Sequence, residues 1–267
     1  MRIGERTPHD PASVALTSPA LERAGFRHGF FLRTGGASEG PFRSLNFLLN
    51  TGDAPDNVAK NREVAGAVLG VAPDRIYFLS QVHGTTTELL RGDEDPLEVV
   101  HRQGDAVISR NPEAACGVRS ADCGTLLIGD PVSGAACAVH AGWRGTVAGV
   151  VASAVGAMRA ARAEPSRLVV AIGPHIEACC FEVGDDVARE IAASSSAGDA
   201  VVSRRDGAKP HVDLRAVLVA QLVALGVSEA SIDQVRGCTV CDEERFFSYR
   251  RDGKVSGRLL SAIVPRA

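Results

Sequence analysis

The sequence predicts an α+β fold with α/β-type layering: a single domain in which a mixed β-sheet core is flanked by helices. Three observations predict it. Short apolar runs with strand character alternate along the chain with helix-length segments. No repeat, low-complexity tract or composition shift divides the 267 residues. Two apolar runs, Leu126-Leu127-Ile128 and Ala135 to Val139, flank the turn signal Gly129-Asp130-Pro131 and read as an antiparallel hairpin.

In chain order, residues 1–25 read as an N-terminal arm ending in a short helix, ahead of one catalytic domain over 26–267. His28 to Arg33 is a strand, followed by the glycine-rich turn Thr34 to Pro41, which lacks the phosphate-loop and dinucleotide-binding patterns. Asp56 or Asn57 is expected to cap a helix to Leu69, with Gly70 as its stop. Ile76 to Val82 is expected as a strand delivering His83. A charged, exposed connection then leads to a strand over Gly104 to Ser109. Beyond the hairpin, Thr146 to Arg162 is expected as one buried helix and Leu168 to Ile172 as an apolar strand. Helices follow over Gly184 to Ala193 and Asp213 to Leu225, separated by an exposed Ser194 to Gly198 loop. A strand near Ile232 then leads to Cys238-Thr239-Val240-Cys241.

Composition excludes several function classes. A net charge of -3 and the lack of a Lys/Arg run give no footprint for nucleic acid or a membrane surface. No apolar segment approaches the ~20 residues that span a bilayer, and the first residues lack a signal-peptide pattern, so the expected location is cytoplasmic. Seven cysteines, an odd number without regular spacing, suit free thiols or metal ligands rather than a disulfide framework.

The hairpin carries chemistry at its ends. Cys123 precedes its first strand and His140 closes its second, so antiparallel pairing brings thiol and imidazole to the same end of the sheet. His83, before Gly84 at another strand end, makes a Cys/His/His set. Such a set suits Zn²⁺, whose catalytic sites use three protein ligands and leave a fourth position open. Taken singly, each of these residues also reads as an ordinary core or surface side chain. Cys238-x-x-Cys241 has no second C-x-x-C, so a four-cysteine zinc knuckle is not expected, and Cys179-Cys180 reads as packing. Cys116 and Cys137, in or beside apolar runs, should be inert.

Five motifs in order, QVHG (81–84), RSADCG (119–124), AVHAGWRGT (138–146), CCFEVG (179–184) and FFSYRRDG (246–253), resemble the YfiH family. This is also called the multicopper polyphenol oxidase or laccase-domain family, and some of its members carry the label peptidoglycan editing factor. HGFFLRTGG, GPFRSLN and DNVAKNRE extend the resemblance over nearly the whole chain. The resemblance implies zinc on His83, Cys123 and His140, with Cu²⁺ as the other candidate metal. It also implies purine nucleoside phosphorylase activity on adenosine, inosine, guanosine and methylthioadenosine, together with adenosine deamination. The implied partners are therefore purine nucleosides and phosphate. Thr125, where many members have proline, and His175-Ile176-Glu177-Ala178 after Gly173-Pro174 depart from the family pattern and bear on the pocket wall.

Given that chemistry, Zn²⁺ would lower a water pKa from ~15.7 to about 7 for deamination. Asp122 is the candidate proton carrier, provided the chain bends between it and Cys123; orienting a ligand or a turn is its other reading. Phosphate calls for cations, and Arg33, Arg144 and Arg250 each sit in a family motif. Arg144 is grouped with Asp122 as catalytic. Arg33, Arg250, Asn46 (hydrogen bonds to ribose or base, or a turn cap) and Trp143 (stacking on a purine, or packing) are grouped as substrate-binding. A zinc amidase acting on peptidoglycan precursors is the alternative. A true laccase is less well supported, because only seven histidines are present and no H-x-H pair occurs.

Overall fold

The structure, a computed structural model, describes residues 11–48 and 52–267. Its strands are β1 (Ala15–Leu16), β2 (His28–Phe31), β3 (Ile76–Tyr77), β4 (Thr87–Leu90), β5 (Ala106–Ser109), β6 (Ala115–Ser120), β7 (Gly124–Gly129), β8 (Ala136–Ala141), β9 (Val169–Ile172), β10 (Val202–Ser203), β11 (His211–Val212), β12 (Ile232–Gln234) and β13 (Leu259–Ile263). They form a five-stranded sheet, β1-β2-β13-β6-β3, a six-stranded sheet, β12-β9-β7-β8-β5-β4, and the small pair β10-β11. Both large sheets are mixed: β3–β6, β4–β5 and β9–β12 pair in parallel, and the other pairs run antiparallel.

The expected sheet core is thus two sheets, and the side-chain alternation along the strands shows how they stack. Val107, Leu127, Ala138 and Ala171 of the six-stranded sheet share a cluster with Phe30, Cys116, Val118 and Ile263 of the other. Their neighbours Ile108, Leu126, Ile128, Cys137 and Val139 face the opposite way into a second cluster. A strand buried on both faces has no polar side, which is why Leu126-Leu127-Ile128 reads as a continuous apolar run. Each such leucine or isoleucine, fully buried, contributes about 1.5–3 kcal/mol relative to exposure.

Helices cover the outer faces. They are α1 (Pro11–Val14), α2 (Pro19–Arg23), α3 (Pro55–Leu69), α4 (Pro96–Val99), α5 (Trp143–Ala148), α6 (Val150–Ala160), α7 (Asp185–Ala193), α8 (Leu214–Ala224) and α9 (Tyr249–Asp252). Val150, Val155, Ile191 and Leu218 from α6, α7 and α8 close the six-stranded sheet. Ala65 and Leu69 of α3 pack with Phe31, Leu260 and Ala262 on the outer face of the five-stranded sheet. The layers therefore run helix, sheet, sheet, helix.

Several expectations need correction. Of the expected arm, residues 1–10 lie outside the described residues. Its remainder is bound into the fold: Val14 and Leu21 are fully buried and β1 pairs with β2. Helix α3 begins at Pro55 after the N-cap Ala54, because proline suits the first helical position; it ends at Gly70 as expected. Only Ile76 and Tyr77 of the expected 76–82 strand pair as a strand; the rest is an irregular run to His83. The connection before residue 104 holds β4 and α4, with Leu90 and Val99 buried. The expected helix over 146–162 is two helices. Gly149, at φ 99°, breaks the turn between them, a conformation that costs glycine no side-chain clash. Strands β6 and β13 were not anticipated, although β13 lies between β2 and β6 in the middle of its sheet.

Candidate metal centre and cleft

The hairpin brings its ends together as the sequence predicts. Thr125 pairs with His140 and Gly124 with Ala141, so Cys123 lies one step beyond the register, beside the His140 end of β8. His83 arrives from the loop after β3 with φ 60°. The three donor atoms lie within 4.8 Å of one another. His83 Nε2 is 3.8 Å from Cys123 Sγ, and the two imidazoles meet edge-on with ring centroids 4.9 Å apart. Gly142 makes this approach possible: a Cβ there would stand 2.8 Å from His83 Cδ2 and 3.1 Å from Cys123 Sγ.

Asp105, at the start of β5 and missed as a site residue in the sequence, organises the cluster. Its carboxylate accepts from the backbone N–H of Val82, His83 and Gly84 at 3.2, 3.0 and 2.7 Å. It also meets His140 Nδ1 at 2.8 Å, and both side chains are buried. One carboxylate therefore fixes the backbone carrying His83 and the ring orientation of His140, leaving His140 Nε2 for the cluster. Burial pushes the Asp105 carboxyl up, but His140 and the backbone N–H groups outweigh it and hold it below the usual carboxylate range. The available signal was a carboxylate directly after a strand-opening glycine; nothing local to it pointed to residue 140.

Electrostatics couple the ligands. Burial would raise the Cys123 thiol, but His140 and His83 outweigh it and bring it down to about 6. Burial would lower His140, but Cys123 and Asp105 raise it to about 9. The two shifts share a cause, since thiolate and imidazolium stabilise each other. The donors fit a tetrahedral ion: Zn–S near 2.3 Å and Zn–N near 2.0–2.1 Å place neighbouring S and N about 3.5 Å apart. A histidine whose other nitrogen is held by a buried carboxylate is the usual ligand arrangement. These three residues can hold a metal ion.

The cluster lines a cleft of about 680 Å³. Asp122, Trp143, Arg144 and Arg250 line it, as do Arg119, Arg258, Tyr249 and Phe181, which the sequence did not single out. The chain does bend at Asp122, where φ is 88°, so Asp122 and Cys123 both reach the cleft. Its carboxylate also reaches two other loops: Oδ1 accepts from Thr239 Oγ1 and Oδ2 from the Arg250 N–H, both at 2.6 Å. That pattern agrees with the other reading of Asp122, a residue that ties loops together. Arg144 is exposed and stacks over Trp143 at 4.6 Å. Arg250 donates to the carbonyls of Cys180 and Glu182. Arg119 is held by the Leu79 carbonyl and lies over Phe78; burial and the nearby Arg62 and Arg258 pull its pKa down to about 10, so it is charged at neutral pH.

Two expected substrate residues lie elsewhere. Asn46 is fully buried: its amide donates to Asp53, and its oxygen accepts from the N–H groups of Leu48 and Arg258. Arg33 donates to the carbonyls of Arg43 and Glu243 and covers the Phe247 ring beside a separate shallow pocket. Neither residue lines the cleft that holds the metal cluster. Thr125 is buried and bonds Ser261, and buried His175 bonds the Gly173 carbonyl, so of the departures from the family pattern only Ile176 lines the cleft. Cys116 and Cys137 are fully buried, and burial pushes both thiols up, as expected of inert cysteines. The reading of Cys179-Cys180 as packing needs correction: Cys179 and Cys180 meet Cys238 and Cys241, with all four sulfurs within 4.8 Å of one another. The second pair is a contiguous Cys-Cys, which a search for paired C-x-x-C motifs passes over.

A helix-flanked two-sheet scaffold that converges two histidines and a cysteine on a cationic cleft defines a protein of mixed α/β architecture with a candidate metal site. The chain matches the family model described as multi-copper polyphenol oxidoreductase laccase over residues 27–266, and it belongs to that family. Among its relatives, a Streptomyces coelicolor protein named purine nucleoside phosphorylase is 40% identical over 242 residues, 90% of this chain and 95% of the relative. A Deinococcus radiodurans protein of the same name is 37% identical over 96% of this chain and 95% of its own length. The crystal structure of YlmD from Geobacillus stearothermophilus superposes with a TM-score of 0.86 at 30% identity, covering 94% of both chains. That of the Bacillus licheniformis hypothetical protein YfiH gives 0.85 at 29% identity, covering 92% of this chain and 94% of the other.

Proposed function

We propose that the protein is a zinc-dependent purine nucleoside phosphorylase that also deaminates adenosine. The observation that carries this reading is the cleft, which joins a three-donor metal cluster to Arg119, Arg144, Arg250 and Arg258. Relatives named for the activity at 37–40% identity over at least nine-tenths of this chain support it.

His83, Cys123 and His140 would hold the zinc ion. When bound, it supplies Lewis acidity and a water of lowered pKa in the cleft. The remaining work falls to the chain's own side chains. Phosphorolysis breaks the glycosidic C–N bond and forms a C–O bond to phosphate, so a phosphate must be held against the ribose. Exposed Arg144 and Arg250 offer the cations for this, since guanidinium groups match phosphate oxygens in pairs. Trp143, Tyr249 and Phe181 give aromatic surface for a purine, and Ile176 and Leu214 exclude water beside them. Asp122 acts as a positioning residue, fixing the Arg250 backbone and the Thr239 loop against the metal ligand next to it in sequence.

The test is incubation of metal-quantified protein with adenosine, with and without phosphate, and separation of the products by chromatography. Adenine and ribose 1-phosphate formed only with phosphate establish the phosphorylase, and inosine formed without phosphate establishes the deaminase. A zinc-loaded sample that turns over neither way overturns the proposal.

A further inference from the structure

The four-cysteine group lies outside the catalytic proposal and is a site in its own right. Its thiols come from two loops far apart in sequence: the turn carrying Cys179 and Cys180, and the turn carrying Cys238 and Cys241. Cys241 Sγ is 3.7 Å from Cys179 Sγ and 3.3 Å from Cys180 Sγ. No pair of the four exceeds 4.8 Å. Four sulfurs around one zinc ion at 2.3 Å stand about 3.8 Å apart, so this spread brackets a tetrahedral tetrathiolate shell. Thiols are weak hydrogen-bonding groups and attract one another little, so their own contacts do not account for four of them converging.

We propose that Cys179, Cys180, Cys238 and Cys241 bind a second, structural metal ion of the thiophilic, tetrahedral class represented by Zn²⁺, taken up with loss of the thiol protons. The closed four-sulfur set leaves no open position, unlike the three-donor cluster at the cleft. Its effect is on the cleft wall. Arg250 Nη1 donates to the Cys180 carbonyl, Phe181 beside it lines the cleft, and Thr239 between the other two cysteines holds Asp122. An ion joining these two turns therefore fixes the part of the cleft wall formed by Phe181, Arg250 and Asp122. Because structural zinc is bound by the folded arrangement alone, its binding free energy adds to folding.

The experiment is metal counting with zinc alone and then cobalt substitution on the full chain. The wild type should bind two equivalents. Cys123→Ala should keep one, with the intense visible d–d bands and near-ultraviolet thiolate charge transfer of tetrahedral cobalt in a sulfur shell. Cys238→Ser combined with Cys241→Ser should lose that signature and one equivalent, and should unfold at a temperature several degrees lower. Cys123→Ala protein that folds but binds no metal overturns the proposal, whether the four thiols then react freely with a thiol reagent or are mapped as disulfides. Native mass spectrometry of Cys123→Ala gives the same decision if the double variant fails to fold.

Discussion

Two groups of cysteine-containing donors sit on either side of Asp122, and they differ in composition, in charge and in what holds them. In the first, one thiol meets two imidazoles. The cations available from histidine draw the Cys123 thiol down to about 6. In the second, thiols meet only one another. There partial desolvation and the neighbouring sulfurs push the Cys179 thiol up, whereas at Cys238 desolvation is outweighed by backbone N–H groups, which hold it below the usual thiol range. The first is braced by a buried carboxylate, Asp105, which orients one ligand and fixes the loop of another. The second is braced by backbone turns. A mixed donor set on an open cleft is suited to chemistry, whereas an all-sulfur set across two turns is suited to fastening. Asp122 couples them, with Cys123 as its chain neighbour and Thr239 on its carboxylate.

The largest break in this comparison is removal of the reactive thiol. Cys123→Ala should cut turnover of adenosine about a thousandfold, since losing several kcal/mol of charge stabilisation costs about that factor. Its circular dichroism should stay that of the wild type, and the zinc content assigned to the cleft should fall to zero. Retained turnover without metal would remove the catalytic assignment.

Asp105→Asn keeps the size of the side chain but loses the charge that orients His140. It should weaken zinc at the cleft by about 10–100-fold, the usual range for a partner behind a ligand. Competition with a chromophoric chelator measures this, and the four-cysteine group should be unaffected.

A third prediction uses the opposed thiol shifts in metal-free protein. The Cys123 thiolate is present above about pH 6 and protonates below it. At pH 6 the thiolate fraction exceeds that of an ordinary thiol by about 500-fold. Lower intrinsic nucleophilicity removes roughly twentyfold of that, leaving about 25-fold faster attack on a disulfide reagent. His140→Ala should return the midpoint towards the ordinary value near 9, and Cys179 should stay unreactive at neutral pH. Equal reactivity of Cys123 and Cys179 would dissolve the distinction between the two groups.

The smallest effects separate cleft arginines from structural ones. Arg144→Ala should raise the KM for phosphate about tenfold, as expected for one charge-assisted hydrogen bond. Arg33→Ala, outside the cleft, should change it by less than about twofold. Steady-state kinetics with varied phosphate decides between them.

The two groups were also unequally legible before folding. Cys123 and His140 belong to one hairpin, and antiparallel register is set locally by the turn, so their meeting follows from the chain alone. The four cysteines meet across 61 and 62 positions, a distance that no local pattern spans. Asn46 and Arg33 show the converse. They sit in motif stretches and look available, but tertiary hydrogen bonds to Asp53, Arg258 and Glu243 occupy them.

What the sequence by itself determined was the alternation of strands and helices, the central hairpin and the meeting of Cys123 with His140 at its end. These depend on side-chain periodicity and on pairing between chain neighbours. Tertiary structure alone decided that the strands form two stacked sheets, that Leu259–Ile263 enters the middle of one, and that Asp105 stands behind His140. Those outcomes depend on which buried faces meet, and non-local packing selects among pairings that a one-dimensional pattern leaves equivalent.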